Sequence, residues 1–217
     1  FLVATARAQL TIEITTQAGR QFPIAIVPFS GESTQSLSVS TVVGADLAKS
    51  GLFRIVGAAG IPPTQELSQV NFDDLKSRGA DALLVGGLAT LPNGQVEVRF
   101  KLFDAVKQSE LANLAFVSQP TQLRAVGHRV ADVVFEKLTG DKGIFSTKIA
   151  YIVKTGSRYQ LQVADWDGLN AHQVLSSNEP IISPSWAPDG TRIGFFAAGR
   201  IRAIDPDQPV YAIQTLS

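Results

Sequence analysis

The sequence predicts an α/β N-terminal domain with a mixed sheet and packed helices, followed by an incomplete all-β propeller segment of less than two blades. Three observations predict it. Strand-like and helix-like stretches alternate up to Gly140. Beyond Gly140 the helical spacing disappears, and short apolar stretches are separated by Asp167-Gly168 and Pro188-Asp189-Gly190. Lys148–Val153 then recurs in type and order as Arg192–Ala197, an offset of 44 residues. Strands repeating at about 40–45 residues are the mark of a propeller blade. Residues 144–217 are too few for two such blades, and propellers close with at least four.

Composition narrows the function. Of the 217 residues, 45% are hydrophobic, enough to build a core. Lys+Arg and Asp+Glu both number 19, so the formal charge is zero. A nucleic-acid partner is therefore not expected, because such binders need surplus cations to displace counterions from phosphates. The longest apolar run, Ala82 to Ala89, contains two glycines and falls well short of the ~20 residues that a spanning helix takes, so no direct membrane insertion is expected. Cysteine is absent, which removes disulfides, thiolate ligands and thiol nucleophiles. Methionine is absent too, so the chain as written is expected to be a fragment or a processed product.

The elements follow in order. Phe1 to Ala8 reads as a signal-peptide remnant, apolar and then small at Ala6 and Ala8, with cleavage before Gln9. The alternative is a first strand from Phe1 to Ile14. Residues 9–19 hold a strand-forming stretch, and residues 20–140 the α/β domain. Phe22–Phe29, bounded by prolines, is a short buried strand. Ser36–Ser50 is a helix with Val39, Val43 and Leu47 on one face, capped by Ser36 or Ser38 and closed by Gly51. Leu52–Val56 is a second strand. Asn71 caps a short helix that runs to Arg78 and ends at Gly79. Ala82–Val85 is a third strand, buried on both faces. Gly86-Gly87 behind it is a close-packing or bend feature.

Asn93-Gly94 marks a hairpin turn in which both residues tolerate positive φ. Val96, Val98, Phe100 and Leu102 then alternate with Glu97, Arg99 and Lys101, a half-buried antiparallel strand. A further strand lies within Ser109–Val117. Gln122–Leu138 is the longest helix, with Leu123, Val126, Val130, Val134 and Leu138 on one stripe and Gly140 beyond its end. In residues 144–217, Tyr159–Val163 has a looser echo in Val210–Gln214. Arg200, Arg202, Asp205 and Asp207 read as a solvated mixed-charge loop.

Three stretches strongly resemble the TolB family, the periplasmic components of the Tol–Pal system. They are Gly143–Val153 (GIFSTKIAYIV), Tyr159–Asn170 (YQLQVADWDGLN) and Pro180–Thr191 (PIISPSWAPDGT). Pro23–Phe29, Ala45–Phe53 and Gly79–Ala82 agree more loosely. The resemblance covers nearly everything from Gln9 onward. It implies a non-enzymatic protein of the periplasm with an α/β domain and a six-bladed propeller, without a cofactor. It implies the peptidoglycan-associated lipoprotein Pal as the propeller's partner and the inner-membrane protein TolA as the partner of the mature N-terminal segment. Colicins belong to the same partner class. The role implied is outer-membrane integrity and cell division. The chain departs from the family in lacking most of the propeller, and Gly199–Gln208 looks like an inserted or variant loop. No Pal-binding residue is transferred, since most would lie in blades outside these residues.

Candidate chemistry is sparse. Asp165–Asn170 superficially suggests a calcium loop, but the sixth and twelfth positions hold Asn170 and Ser176 where glycine and glutamate belong, so a plain hairpin turn explains it better. His128 and His172 have no cysteine or second nearby histidine, which makes each an ordinary surface or boundary residue rather than a metal ligand. Trp186 packs between blades or forms a ligand platform. No Gly-x-Ser-x-Gly elbow or phosphate loop occurs in the chain, and no catalytic or metal residue is assigned. The partner-binding stretch is Gln9, Leu10, Thr11, Ile12, Glu13, Ile14 and Thr15. Its alternation suits β-augmentation, in which backbone bonds supply affinity and alternate side chains supply selectivity. The competing reading is an edge strand docked on its own domain, and the resemblance favours partner binding. The alternative function is the front part of a propeller-bearing periplasmic hydrolase or peptidase.

Overall fold

The computed structural model describes residues 21–63, 66–207 and 214–215. The signal remnant and the stretch Gln9–Thr15 lie outside the described residues. Strand β1 (Phe22–Ile26) ends sooner than its apolar run, because Pro28 has no N–H to give a ladder. Helix α1 (Val39–Lys49) starts at Ser38, whose side chain accepts from the Thr41 amide, and Gly51 follows its end at φ 76°. Strand β2 (Phe53–Val56), helix α2 (Phe72–Ser77) and strand β3 (Ala82–Thr90) come next. Asn71 caps α2 through the Asp74 amide. Strand β3 runs straight through Gly86-Gly87 rather than stopping at Val85. Strands β4 (Val96–Asp104) and β5 (Ser109–Ser118) and helix α3 (Leu123–Thr139) complete the domain.

These strands form one mixed sheet in the order β2-β1-β3-β4-β5. Parallel pairing joins β1 to β2 and β3, and antiparallel pairing joins the rest. Helices α1 and α3 cover one face, where Ile24, Val43, Leu47, Leu84, Phe100 and Val130 are buried. The other face is covered around α2 by Val27, Leu75, Leu83, Val85 and Phe103. Phe103 departs from the alternation of β4. It is fully buried on the side where Glu97, Arg99 and Lys101 stand, because α2 reaches that end of the sheet. The turn before β4 also differs from expectation. Only Gly94 has positive φ, and the Gly94 and Leu91 amides bond Leu91 O and Gln95 O. That is a three-residue loop with glycine at the left-handed position, not a two-residue turn needing positive φ at Asn93.

Beyond α3 the regular elements among the described residues are all strands. Strands β6 (Lys148–Thr155), β7 (Arg158–Asp165) and β8 (His172–Ser177) form a three-stranded antiparallel sheet. Strands β9 (Ile181–Trp186), β10 (Ile193–Ala197), β11 (Arg200–Ile204) and β12 (Gln214–Thr215) form a four-stranded one. Leu161, Val163 and Leu175 of the first sheet pack on Ile181, Ile193 and Phe195 of the second, as neighbouring blades do. The repeat is therefore real, with β6 and β10 as its matched strands.

Strand β11 corrects two expectations. Arg200 and Arg202 stand in a strand, not in a loop, so 199–208 is not an insertion as a whole. Ala198 (φ 53°) and Gly199 (φ 71°) make a two-residue turn that matches strand twist and returns the chain onto β10. The strand that follows β10 as β7 follows β6 is thus Arg200–Ile204, whereas the Val210–Gln214 echo falls largely outside the described residues.

Candidate functional site

The densest polar cluster of the described residues lies where the α/β domain meets the first propeller sheet. Helix α1 presents Asp46 and Lys49, and helix α3 presents Arg124 and His128 from the adjacent position on its face. The two helices approach closely because Gly127 has no side chain; a Cβ there would lie 2.8 Å from Val42 Cγ1. Across the junction, the turn between β7 and β8 presents Asp165, Trp166 and Asp167.

His128 is the clearest correction to the sequence reading. It is 3% exposed, not a surface or boundary residue. Its Nδ1 lies 2.6 Å from Asp46 Oδ2. A carboxylate accepts, so Nδ1 is the donor. The other Asp46 oxygen accepts from Trp166 Nε1 at 3.0 Å. The Trp166 ring packs edge-on to Phe145, centroids 5.1 Å apart, and Lys49 Nζ stands 5.9 Å from the ring centroid. Phe145 is held in turn by Asp132, whose carboxylate accepts from the Phe145 and Ser146 amides at 2.7 and 3.0 Å. Gly143 is a glycine because a Cβ would overlap Asp132.

The Asp165–Asn170 turn is the hairpin turn expected, with Gly168 at φ 85°. Its carboxylates do more than close it. Asp165 accepts from Lys148 Nζ at 2.9 Å, Asn170 Nδ2 at 2.7 Å and Arg124 Nε at 3.2 Å. Asp167 accepts from Arg124 through a short bond and lies 3.7 Å from Lys49 Nζ. Burial on its own would raise both carboxyls. Hydrogen bonds and charge from Lys148, Asn170 and Arg124 outweigh it at Asp165, as the Leu169 amide, Arg124 and Lys49 do at Asp167, and both sit below the ordinary aspartate value. Burial likewise pulls the Arg124 guanidinium down, but the two aspartates overcome it and hold it above its usual value.

His128, Asp165 and Asp167 bring ligand atoms within 4.8 Å of one another, the spacing of a metal site. The cluster does not suit a divalent ion. Arg124, Lys148 and Lys49 already balance Asp46, Asp165 and Asp167 in charge, and an ion would have to displace Arg124 from both carboxylates. The chemistry available is structural: a charge-neutral, directional bond set between two folded parts.

The remaining sequence candidates separate. His172 is exposed and its Nδ1 lies 3.3 Å from the Asn170 carbonyl oxygen. Trp186 packs with the apolar layer between the two propeller sheets and borders a 540 Å³ cavity with Lys148, Val163 and His172. Asp46 and Arg124 were missed. A signal existed for Asp46, which falls at the i+3/i+4 spacing of Val39, Val42, Val43 and Leu47, an odd place for an unpaired acid.

An α/β module with a sheet covered on both faces, joined to the opening sheets of a β-propeller, defines a two-part α/β–propeller class of protein. Residues 10–111 match the TolB amino-terminal domain, and residues 135–203 match the TolB beta propeller domain. The Tol-Pal system protein TolB of Nitrosomonas europaea is 44% identical over 217 residues, all of this chain and 49% of that protein. Its namesake from Dechloromonas aromatica is 45% identical over 216 residues, with the same coverage. The crystal structure of TolB from Acinetobacter baumannii superposes with a TM-score of 0.75 at 29% identity, over 90% of this chain and 49% of that one. The chain belongs to the TolB family. It spans about half the length of the curated relatives it matches.

Proposed function

We propose that the chain is part of a non-enzymatic periplasmic protein of the Tol–Pal system, linking inner-membrane TolA to the lipoprotein Pal in support of outer-membrane integrity and cell division. One observation carries the reading: the family match runs through both parts in the same order, α/β domain and then propeller, at 44% identity over 217 residues. No helix of the described residues is long and apolar enough to cross a membrane. The most charged cluster spends its groups on one another, which suits a scaffold better than a hydrolase. We further divide the chain into a leader remnant at 1–8, a partner strand at 9–19, an α/β domain at 20–140 and the start of the propeller at 144–217.

TolA is the partner of the stretch Gln9–Thr15, Pal that of the propeller, and colicins exploit the same protein. Leu10, Ile12 and Ile14 supply the apolar contacts of the paired strand, and Thr11 and Glu13 face away. The test is a titration of the full-length protein against the C-terminal domain of its own TolA. Ile12→Asp buries an unpaired carboxylate and should cost about 2 kcal/mol, roughly 30-fold in affinity. Equal affinity for wild type, Ile12→Asp and a deletion of residues 9–15 removes this stretch from the binding site.

A further inference from the structure

The two parts of the chain meet through side chains of one turn and one linker. No strand pairing crosses the junction among the described residues. Its apolar component is Phe145, buried and edge-on to Phe135 of α3, with Trp166 packed against it and the same apolar cluster. The rest is polar: Trp166 to Asp46, Arg124 to Asp165 and Asp167, and Lys49 to Asp167. Charge-assisted bonds hold one geometry strongly, but each group regains water when that geometry is lost. A packed apolar seam has no such compensation.

His128 adds a second, independent feature. Its side chain is 4% exposed, yet Nε2 has no hydrogen-bond partner and faces Asp165 Oδ2 across 3.8 Å. A buried orphan nitrogen penalises the closed arrangement, and water relieves it on opening. Favourable bonds and a stored penalty thus sit in the same contact.

We propose that the junction is a polar clasp with two states. In the closed state Trp166 keys the Asp165–Asn170 turn into the cleft of α1 and α3. In the open state the turn swings out and the first propeller sheet pivots just beyond Ser146, the last residue that Asp132 holds. Arg124 is the bolt, since it alone bonds both turn carboxylates from α3. Lys49 and Lys148, each 51% exposed at the side chain, are where solvent ions reach the contact. The clasp is intrinsic to the chain and stands whether or not TolA and Pal are its partners.

These 217 residues hold no cysteine, so an engineered pair can be labelled in the full-length protein once any cysteine outside them is replaced by serine. Lys107→Cys in the β4–β5 turn and Arg158→Cys at the start of β7 carry a pair of spin labels for a distance measurement. Low salt should give one narrow distance. About 1 M sodium chloride, where screening acts within ~3 Å, should raise a second, longer distance roughly tenfold in population. At low salt, Trp166→Phe, which keeps an aromatic ring against Phe145 but loses the bond to Asp46 and part of the ring's packing, should raise it severalfold. Arg124→Gln should raise it further. One unchanged distance through the salt series and in Trp166→Phe overturns the clasp, and those two measurements decide even if Arg124→Gln does not fold.

Discussion

At Gly86 the absence of a side chain is a packing requirement. A Cβ there would lie 2.7 Å from the Phe29 ring and 2.8 Å from the Arg99 carbonyl oxygen. The ring could move; the β4 backbone cannot without breaking the ladder that pairs Gly86 with Phe100. Gly86→Ala should therefore lower stability by about 1–3 kcal/mol, the usual cost of overpacking a full core. A urea melt checks it, and an unchanged midpoint would mean that the sheet gives more readily than its pairing implies. Of the two readings that Gly86-Gly87 allowed, close packing is the one realised at Gly86, and β3 stays paired with β4 in one register to Thr90. Buried polar side chains were less legible. Glu32 accepts from the Ser40 amide and hydroxyl at 3.1 and 2.6 Å and so reinforces the start of α1, from a site eight residues away that no capping pattern flags.

Among the elements, the turn between β7 and β8 carries a pH dependence with a definite sign. Asp165 and Asp167 lie below the ordinary aspartate value in the folded chain. The unfolded chain thus binds protons first as pH falls, so the stabilisation is complete above the ordinary aspartate range. It is lost as pH drops through that range and then through the depressed folded values. The charges facing the pair are Lys49 from α1, Arg124 from α3 and Lys148 from β6, with His128 beside them. The melting temperature should fall between pH 5 and about 3 more steeply in wild type than in an Asp165→Asn, Asp167→Asn double variant. Parallel curves would assign acid sensitivity elsewhere. The turn itself was legible, because Asp-Gly needs little context. Its chief partner was not, because Arg124 stands on α3, 41 and 43 residues before Asp165 and Asp167 in sequence.

For the whole molecule, the two halves should differ in self-sufficiency. The sheet of residues 20–140 is covered around α2 on one face and by α1 and α3 on the other. The second propeller sheet leaves one face open, where Ile182, Phe196 and Ile201 lie in register and are 49, 40 and 57% exposed. Neighbouring blades cover such faces, and a blade array without its neighbours exposes them. Expressed separately, residues 20–140 should melt cooperatively, and residues 144–217 should be poorly soluble. A cooperative melt from the second segment alone would reverse that order.

The sequence by itself determined the strands and helices of the α/β domain, their order and the change of architecture at Gly140, although it read β11 as a loop. Each of those rests on local information: a period of two or of 3.6, a capping side chain, a glycine where φ must be positive. Val39, Val43 and Leu47, for instance, announce a buried face at a spacing of four and are fully buried. Only the tertiary structure decided that Asp46, Arg124, His128 and Trp166 meet. Periodicity tells which face of a helix is buried, not what it is buried against. A polar group inside a protein is defined by its partner, and here the partner of Asp46 is a tryptophan 120 residues further along the chain.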